Sequence, residues 1–224
     1  MIPIRDEIRT HRPPIMTYLL IAANVVVFIL QWLTGPNQEA VIFEYALIPS
    51  NLTTSVNLQN IADIFSSMFM HAGLLHLAGN MLYLWIFGDN VEDAMGSIKY
   101  LIFYLVGGVI AALTHTFLYP DSQIPTVGAS GAIAAVLASY LILYPQSRVL
   151  TFIPLGFFMQ LRLVPASIVL IVWFILQLFN GVLTLSGPEL SGIAFWAHIG
   201  GFLAGLLVTT LFFSRVKRKR HSNW

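Results

Sequence analysis

Long apolar runs alternate with short polar connections along the whole chain. The runs are too long and too uniformly apolar for the one-sided helices of a water-soluble domain. Six stand out, at residues 17–33, 73–87, 98–118, 129–144, 164–183 and 194–213. A helix needs about 20 residues to cross a hydrocarbon core of about 30 Å. The first, third, fifth and sixth runs are near that length, and the second and fourth are shorter, at about 15 residues. Helices are the expected assignment, because lone strands would leave backbone groups unpaired in lipid, where there is no water to bond them. The pattern predicts an all-α polytopic membrane protein, a bundle of six transmembrane helices. It divides the chain into a polar lead over 1–16, a membrane domain over 17–213 and a basic tail over 214–224. The connection over 35–72 is long for a compact domain. Ile42, Phe43, Tyr45, Leu47, Ile48 and Pro49 make part of it apolar, so it is expected to lie in the membrane interface.

Composition agrees with this class. Hydrophobic residues make up 57% of the chain and charged residues 9%, against about 25% charged in a soluble domain. Cysteine is absent, which excludes a disulfide framework, a thiolate metal site and a cysteine nucleophile. The first run follows Arg5, Asp6, Glu7, Arg9, His11 and Arg12 and has no small-residue cleavage site after it, so it reads as a retained span.

The placement of charge sets an orientation. All 11 Lys and Arg residues fall on one side of a six-span arrangement: Arg5, Arg9, Arg12, Lys99, Arg148, Arg162, Arg215, Lys217, Arg218, Lys219 and Arg220. The opposite connections carry only acids: Glu39, Glu44, Asp63, Asp121 and Glu189. The positive-inside rule then predicts a multi-pass protein of the cell (inner) membrane with both termini cytoplasmic. The basic tail reads as a cytoplasmic stop whose charge also attracts anionic membrane lipids. Nothing in the pattern points to nucleic acid.

Polar groups inside spans are costly and mark function by default. His71, His76, His115, His198 and Ser130 all fall in the outer half of the six-span arrangement. From Ser130 to Tyr144 a helix rises roughly 21 Å. Ser130 is therefore expected on the order of 8–9 Å below the outer boundary. The chain ahead of it must dip into the protein, which is tolerated where it is buried or lines a water-filled cavity. A cavity open to the outside is expected there.

A serine needs a base within about 2.6–3.2 Å to become a nucleophile. Around Ser130 stand Gly131, Ala134, Ala135 and Ala138. His198, Gly201 and Gly205 share one face of the last span, and the two glycines form a close-packing GxxxG pair. The face of the last span that packs closely is thus the face that bears His198. No carboxylate lies deep in a span, so the expected unit is a Ser130–His198 dyad. His76 and Asn80 are i, i+4 on span two and, with the Ser130 N–H at the start of span four, are candidate oxyanion donors. His115 reads as structural, and His71 as a residue that orders the first connection. A metal site is not expected, because His71 and His76 do not share a helical face and HExxH is absent. A small transporter would more often show intramembrane charges or inverted repeats, and neither is found.

Four motifs together resemble the rhomboid family of intramembrane serine proteases, in its compact bacterial six-helix form. They are HAGLLHLAGN from His71 to Asn80, FGDNVED from Phe87 to Asp93, GASG around Ser130, and AHIGG from Ala197 to Gly201. The resemblance implies a rhomboid-like bundle with Ser130 as nucleophile, His198 as base, and His76 and Asn80 as oxyanion donors. It implies transmembrane proteins as substrates, cut near the outer half of the membrane, and no cofactor. A non-catalytic relative would typically lack the serine or the histidine, and both are present. Some members place a tyrosine one turn after the serine, where this chain has Ala134, and the first connection lacks the Trp-Arg pair of some members. The resemblance also implies a lateral gate and cap around Trp173, Phe174 and residues 185–193.

Overall fold

A computed structural model describes residues 1–155, 158–185 and 193–213. The basic tail, Glu189 and residues 186–192 of the expected cap lie outside the described residues.

The long apolar runs form helices. They are α1 (Ile15–Leu33), α5 (Leu74–Met95), α6 (Ser97–Leu118), α7 (Ser130–Leu143), α8 (Ala166–Leu185) and α9 (Phe195–Val208). Three short helices, α2 (Gln38–Tyr45), α3 (Pro49–Thr54) and α4 (Leu58–Ser67), fill the first connection. A π-helical turn, Thr209–Phe213, prolongs α9. Among the described residues four helices are long and apolar enough to cross a membrane: α1, α6, α8, and α9 with its extension. The molecule is a multi-pass helical membrane protein, and α5 and α7 complete the bundle.

The packing radiates from α7. Every residue from Gly131 to Tyr140 is buried, and α5, α6 and α9 surround the helix. Small residues permit this close approach. A Cβ on Gly107 of α6 would fall 2.6 Å from the Ala135 Cβ. On α9, a Cβ at Gly201 would collide with the carbonyl oxygen of Gly131, and one at Gly205 with that of Ala135. The glycine face of the last run is therefore its contact with α7.

Helix α5 runs two turns past the expected boundary at residue 87. The extension carries Asp89, Asn90, Glu92 and Asp93, which find partners at the end of the bundle opposite Ser130. Glu92 is 3% exposed and accepts from the Met16 N–H at 3.0 Å, the Thr17 N–H at 2.8 Å, the Thr17 hydroxyl at 2.9 Å and the Ser97 hydroxyl. One carboxylate thus caps the N-terminus of α1 and ties the start of α6, where negative charge also meets the positive end of a helix dipole.

The chain is mostly helical, as expected, but it is not all-α, because it also forms a small sheet. Strands β1 (Ile2–Asp6), β2 (Arg148–Leu155) and β3 (Phe158–Pro165) form an antiparallel sheet in the order β1-β2-β3. Outside the lipid-spanning segments strands can pair without the cost of an unpaired edge in hydrocarbon. Much of the lead over 1–16 and the connection between α7 and α8 therefore have structure of their own. Asp6 pins the sheet to the bundle, accepting from the Tyr140 hydroxyl at 2.6 Å and the Asn90 side-chain amide at 2.9 Å. Burial pushes the Asp6 carboxyl up to about 6.

The first connection is also more structured than an interfacial loop. Leu47 is buried and packs with Leu52, Ile64, Met68 and Ala112 in a small second core. Phe43 and Tyr45, by contrast, are exposed. Pro49 occupies the first turn of α3, and the Asn57 side chain caps α4 by accepting from the Asn60 N–H at 2.9 Å.

Candidate active site

The segment that leads into α7 is held by the first connection. The Thr126 N–H donates to the Leu47 carbonyl at 2.7 Å, and the Gly128 N–H to the Ser67 carbonyl at 2.8 Å. These two bonds satisfy backbone groups of a non-helical segment inside the protein, as the expected dip requires. Gly128 has φ +128°, a conformation that side-chain-bearing residues rarely adopt. A Cβ there would also fall 2.8 Å from the His76 Nε2. Glycine is required on both counts.

Ser130 is the first residue of α7 and is partly buried. Its Oγ lies 2.7 Å from the His198 Nε2. The two residues expected to meet do meet, 68 positions apart in sequence. His198 sits in the first turn of α9 and is 9% exposed. The seating of Gly201 on Gly131 brings the start of α9 against the start of α7.

His76 and Asn80 stand on successive turns of α5. They line one cavity of about 590 Å³ together with Ser130 and His198. The cavity reaches Leu75 and Ile124, both exposed, so it opens to the surface. The described residues that line it include no Asp, Glu, Lys or Arg. Fixed dipoles count for more in such a setting, since no charged side chain of the described lining competes with them. The Asn80 Nδ2 is buried and makes no hydrogen bond among the described residues. The N–H groups of Ser130, Gly131 and Ala132 precede the first α7 bond, which runs from the Ile133 N–H to the Ala129 carbonyl at 2.9 Å. The donors expected around the serine thus share one chamber.

His71 packs edge-on against His76 with ring centroids 5.1 Å apart. The buried Gln31 of α1 holds the His71 backbone on both sides, accepting from its N–H at 3.1 Å and donating to its carbonyl at 3.3 Å. His71 is therefore tied to α1 just ahead of α5. His115 is buried on the cavity wall.

The sequence reasoning missed Gln177. Its Oε1 lies 2.7 Å from the His198 Nδ1, so His198 is bonded at both ring nitrogens. Trp173, one turn earlier on α8, flanks the same imidazole with centroids 5.9 Å apart. Phe174 stacks on Phe202 of α9 at 4.4 Å. An amide within a largely apolar run, one turn after Trp173, was the available sign. A nucleophile, an oriented imidazole and a cluster of neutral donors in a secluded cavity can perform acyl transfer.

The Rhomboid domain family model matches residues 58–215. The chain is 31% identical over 157 residues to Rhomboid protein 1, mitochondrial, of Saccharomyces cerevisiae, covering 68% of this chain and 43% of that protein. It is 30% identical over 194 residues to Rhomboid protease GluP of Bacillus subtilis, covering 86% of this chain and 34% of GluP. It is also 30% identical over 200 residues to human Presenilin-associated rhomboid-like protein, mitochondrial, covering 85% of this chain and 46% of the relative. The chain spans less than half the length of these curated relatives.

Proposed function

The chain belongs to the rhomboid family, and from that premise we propose that it is an intramembrane serine endopeptidase acting on single-pass transmembrane proteins. The cut falls near the outer half of the membrane. The catalytic domain is the membrane region 17–213, with six spans and both termini cytoplasmic in the cell membrane. The one-sided distribution of Lys and Arg supports that orientation.

The observation that carries the reading is the 2.7 Å contact between Ser130 Oγ and His198 Nε2. His198 takes the hydroxyl proton as Ser130 attacks a substrate backbone carbonyl. His76, Asn80 and the Ser130 N–H donate to the oxyanion of the tetrahedral intermediate. Collapse expels the amine, which takes the proton from His198, and leaves an acyl-enzyme on Ser130. A water from the cavity, deprotonated by His198, then hydrolyses the ester.

The test uses purified protein and a fluorophosphonate probe, followed by cleavage of a panel of single-pass substrates in liposomes. Labelling and cleavage are both expected to vanish in Ser130→Ala. Labelling that persists unchanged in that variant would sink the assignment.

A further inference from the structure

We propose that Gln177 is the positioning residue of the base: its side-chain carbonyl accepts the Nδ1 proton of His198 and so fixes the tautomer whose Nε2 is free to take the serine proton. The inference rests on the reading of Ser130 and His198 given above.

A neutral imidazole carries one proton, on either nitrogen. With the proton on Nε2, the ring donates toward Ser130 and cannot act as its base. With the proton on Nδ1, Nε2 presents a lone pair to the serine hydroxyl. The Gln177 Oε1, 2.7 Å from Nδ1, can only accept, so it selects the second form. Among the described residues no carboxylate lines the cavity to do this instead.

The setting of Gln177 points the same way. Helix α8 presents most of its side chains outward, Ile171, Ile175, Leu178, Phe179 and Val182 among them. Trp173, Gln177 and Gly181 follow one another at intervals of four and form its inward face. The Trp196 Nε1–H of α9 donates to the Gly181 carbonyl at 3.1 Å, one turn beyond Gln177, and holds the two helices in register. The other amide of α8, Asn180, donates back to the Leu176 carbonyl of its own helix at 2.7 Å. Gln177 instead reaches across to His198. Polar side chains within spans are expensive, and this one is directed at the single imidazole that contacts the serine.

A neutral acceptor orients the ring without bringing a second charge into the cavity. Gln177 therefore acts on the population of the competent tautomer, and through it on the rate of the chemical step rather than on ligand binding.

The test combines histidine ¹⁵N NMR of the full chain with fluorophosphonate inactivation kinetics. The His198 resonances are assigned by their loss in His198→Ala. Wild type is expected to show a protonated Nδ1 and an unprotonated Nε2. Gln177→Met is expected to lower kinact about tenfold, with KI changed less than twofold, and to give a mixed tautomer signal. Gln177→Glu, which keeps an acceptor, is expected to restore kinact to within about threefold of wild type. Thermal melts check that both variants fold. A wild-type His198 protonated on Nε2 would overturn the inference, even if neither variant folds. So would a Gln177→Met protein that folds and keeps the wild-type kinact. The tautomer is read without any reaction, so a failure of the protease reading, seen as labelling of Ser130→Ala, is separable from a failure of this one.

Discussion

Helix α9 carries His198 and helix α8 touches its ring, and the two helices are held in place by different physics. Helix α9 is the more deeply buried, with every residue from Ala197 to Phe202 and then Ala204 and Gly205 buried, whereas α8 buries Ala166, Val169, Leu170 and Gly181. The glycines of α9 rest on the α7 backbone, so hard repulsion fixes its place. Helix α8 is more peripheral and, beside the apolar contact of Phe174 with Phe202, is held by polar links. These are Gln177 to His198, Trp196 to the Gly181 carbonyl, and the Tyr119 hydroxyl to the Thr184 hydroxyl at 2.9 Å. Each such bond contributes about 1 kcal/mol net. The approach of Ser130 and His198 is thus set by close packing, and the ring orientation by links that a single substitution can remove.

The largest effects should come from breaking the close-packed side. Gly201→Val drives a branched side chain into the Gly131 carbonyl, and a loss of about 3 kcal/mol or outright failure to fold is expected in thermal melts. Phe179→Ala on the outward face of α8 should cost less than about 0.5 kcal/mol. Equal melting of these two variants would erase the distinction between the helices.

Glu92→Ala should cost about 3 kcal/mol, because several buried donors lose their acceptor together. Fluorophosphonate labelling per folded molecule should be unchanged, since Glu92 lies at the other end of the bundle from the cavity. A labelling defect that outruns the stability defect would show that the two ends are coupled.

Trp196→Phe removes one link of α8 and should lower stability by about 1 kcal/mol. A further effect concerns pH. The fold raises the Asp6 pKa from 3.8 to about 6, so it favours the protonated carboxyl. That contribution is fully present below the unfolded value and is lost as pH rises through about 6. Wild-type melting temperature should therefore fall between about pH 4 and pH 6, and Asp6→Asn should flatten this decline. A decline unchanged in Asp6→Asn would assign it to another group.

The residues that crowd α7 were legible in the sequence because their chemistry is periodic. Gly201, Gly205 and His198 share a helical face whatever the rest of the chain does, and that periodicity correctly paired His198 with Ser130. The short fourth run gave a short helix for the same reason. What escaped depended on partners distant in sequence. The polar end of α5 reads as a helix stop until Asp6 and the start of α1 arrive to satisfy it. The strands of β2 and β3 lie in a connection where neither span length nor charge placement signals a sheet, and β1 forms only against β2. Gln177 is one uncharged amide among apolar residues, and its meaning appears only when α8 is laid beside α9.

The shortness of α7 has a consequence for how the protein meets bilayers of different thickness. Its 14 residues rise roughly 21 Å, well under a hydrocarbon core of about 30 Å. A lone span that short would suffer hydrophobic mismatch, which lipids relieve by thinning or by tilting the helix. Helix α7 is sheathed by α5, α6 and α9, so that strain does not reach it. The exposed side chains of α1, α6 and α8 take up the mismatch instead. The surrounding wall adjusts to the thickness of the bilayer, while the depth of Ser130 stays referenced to the protein.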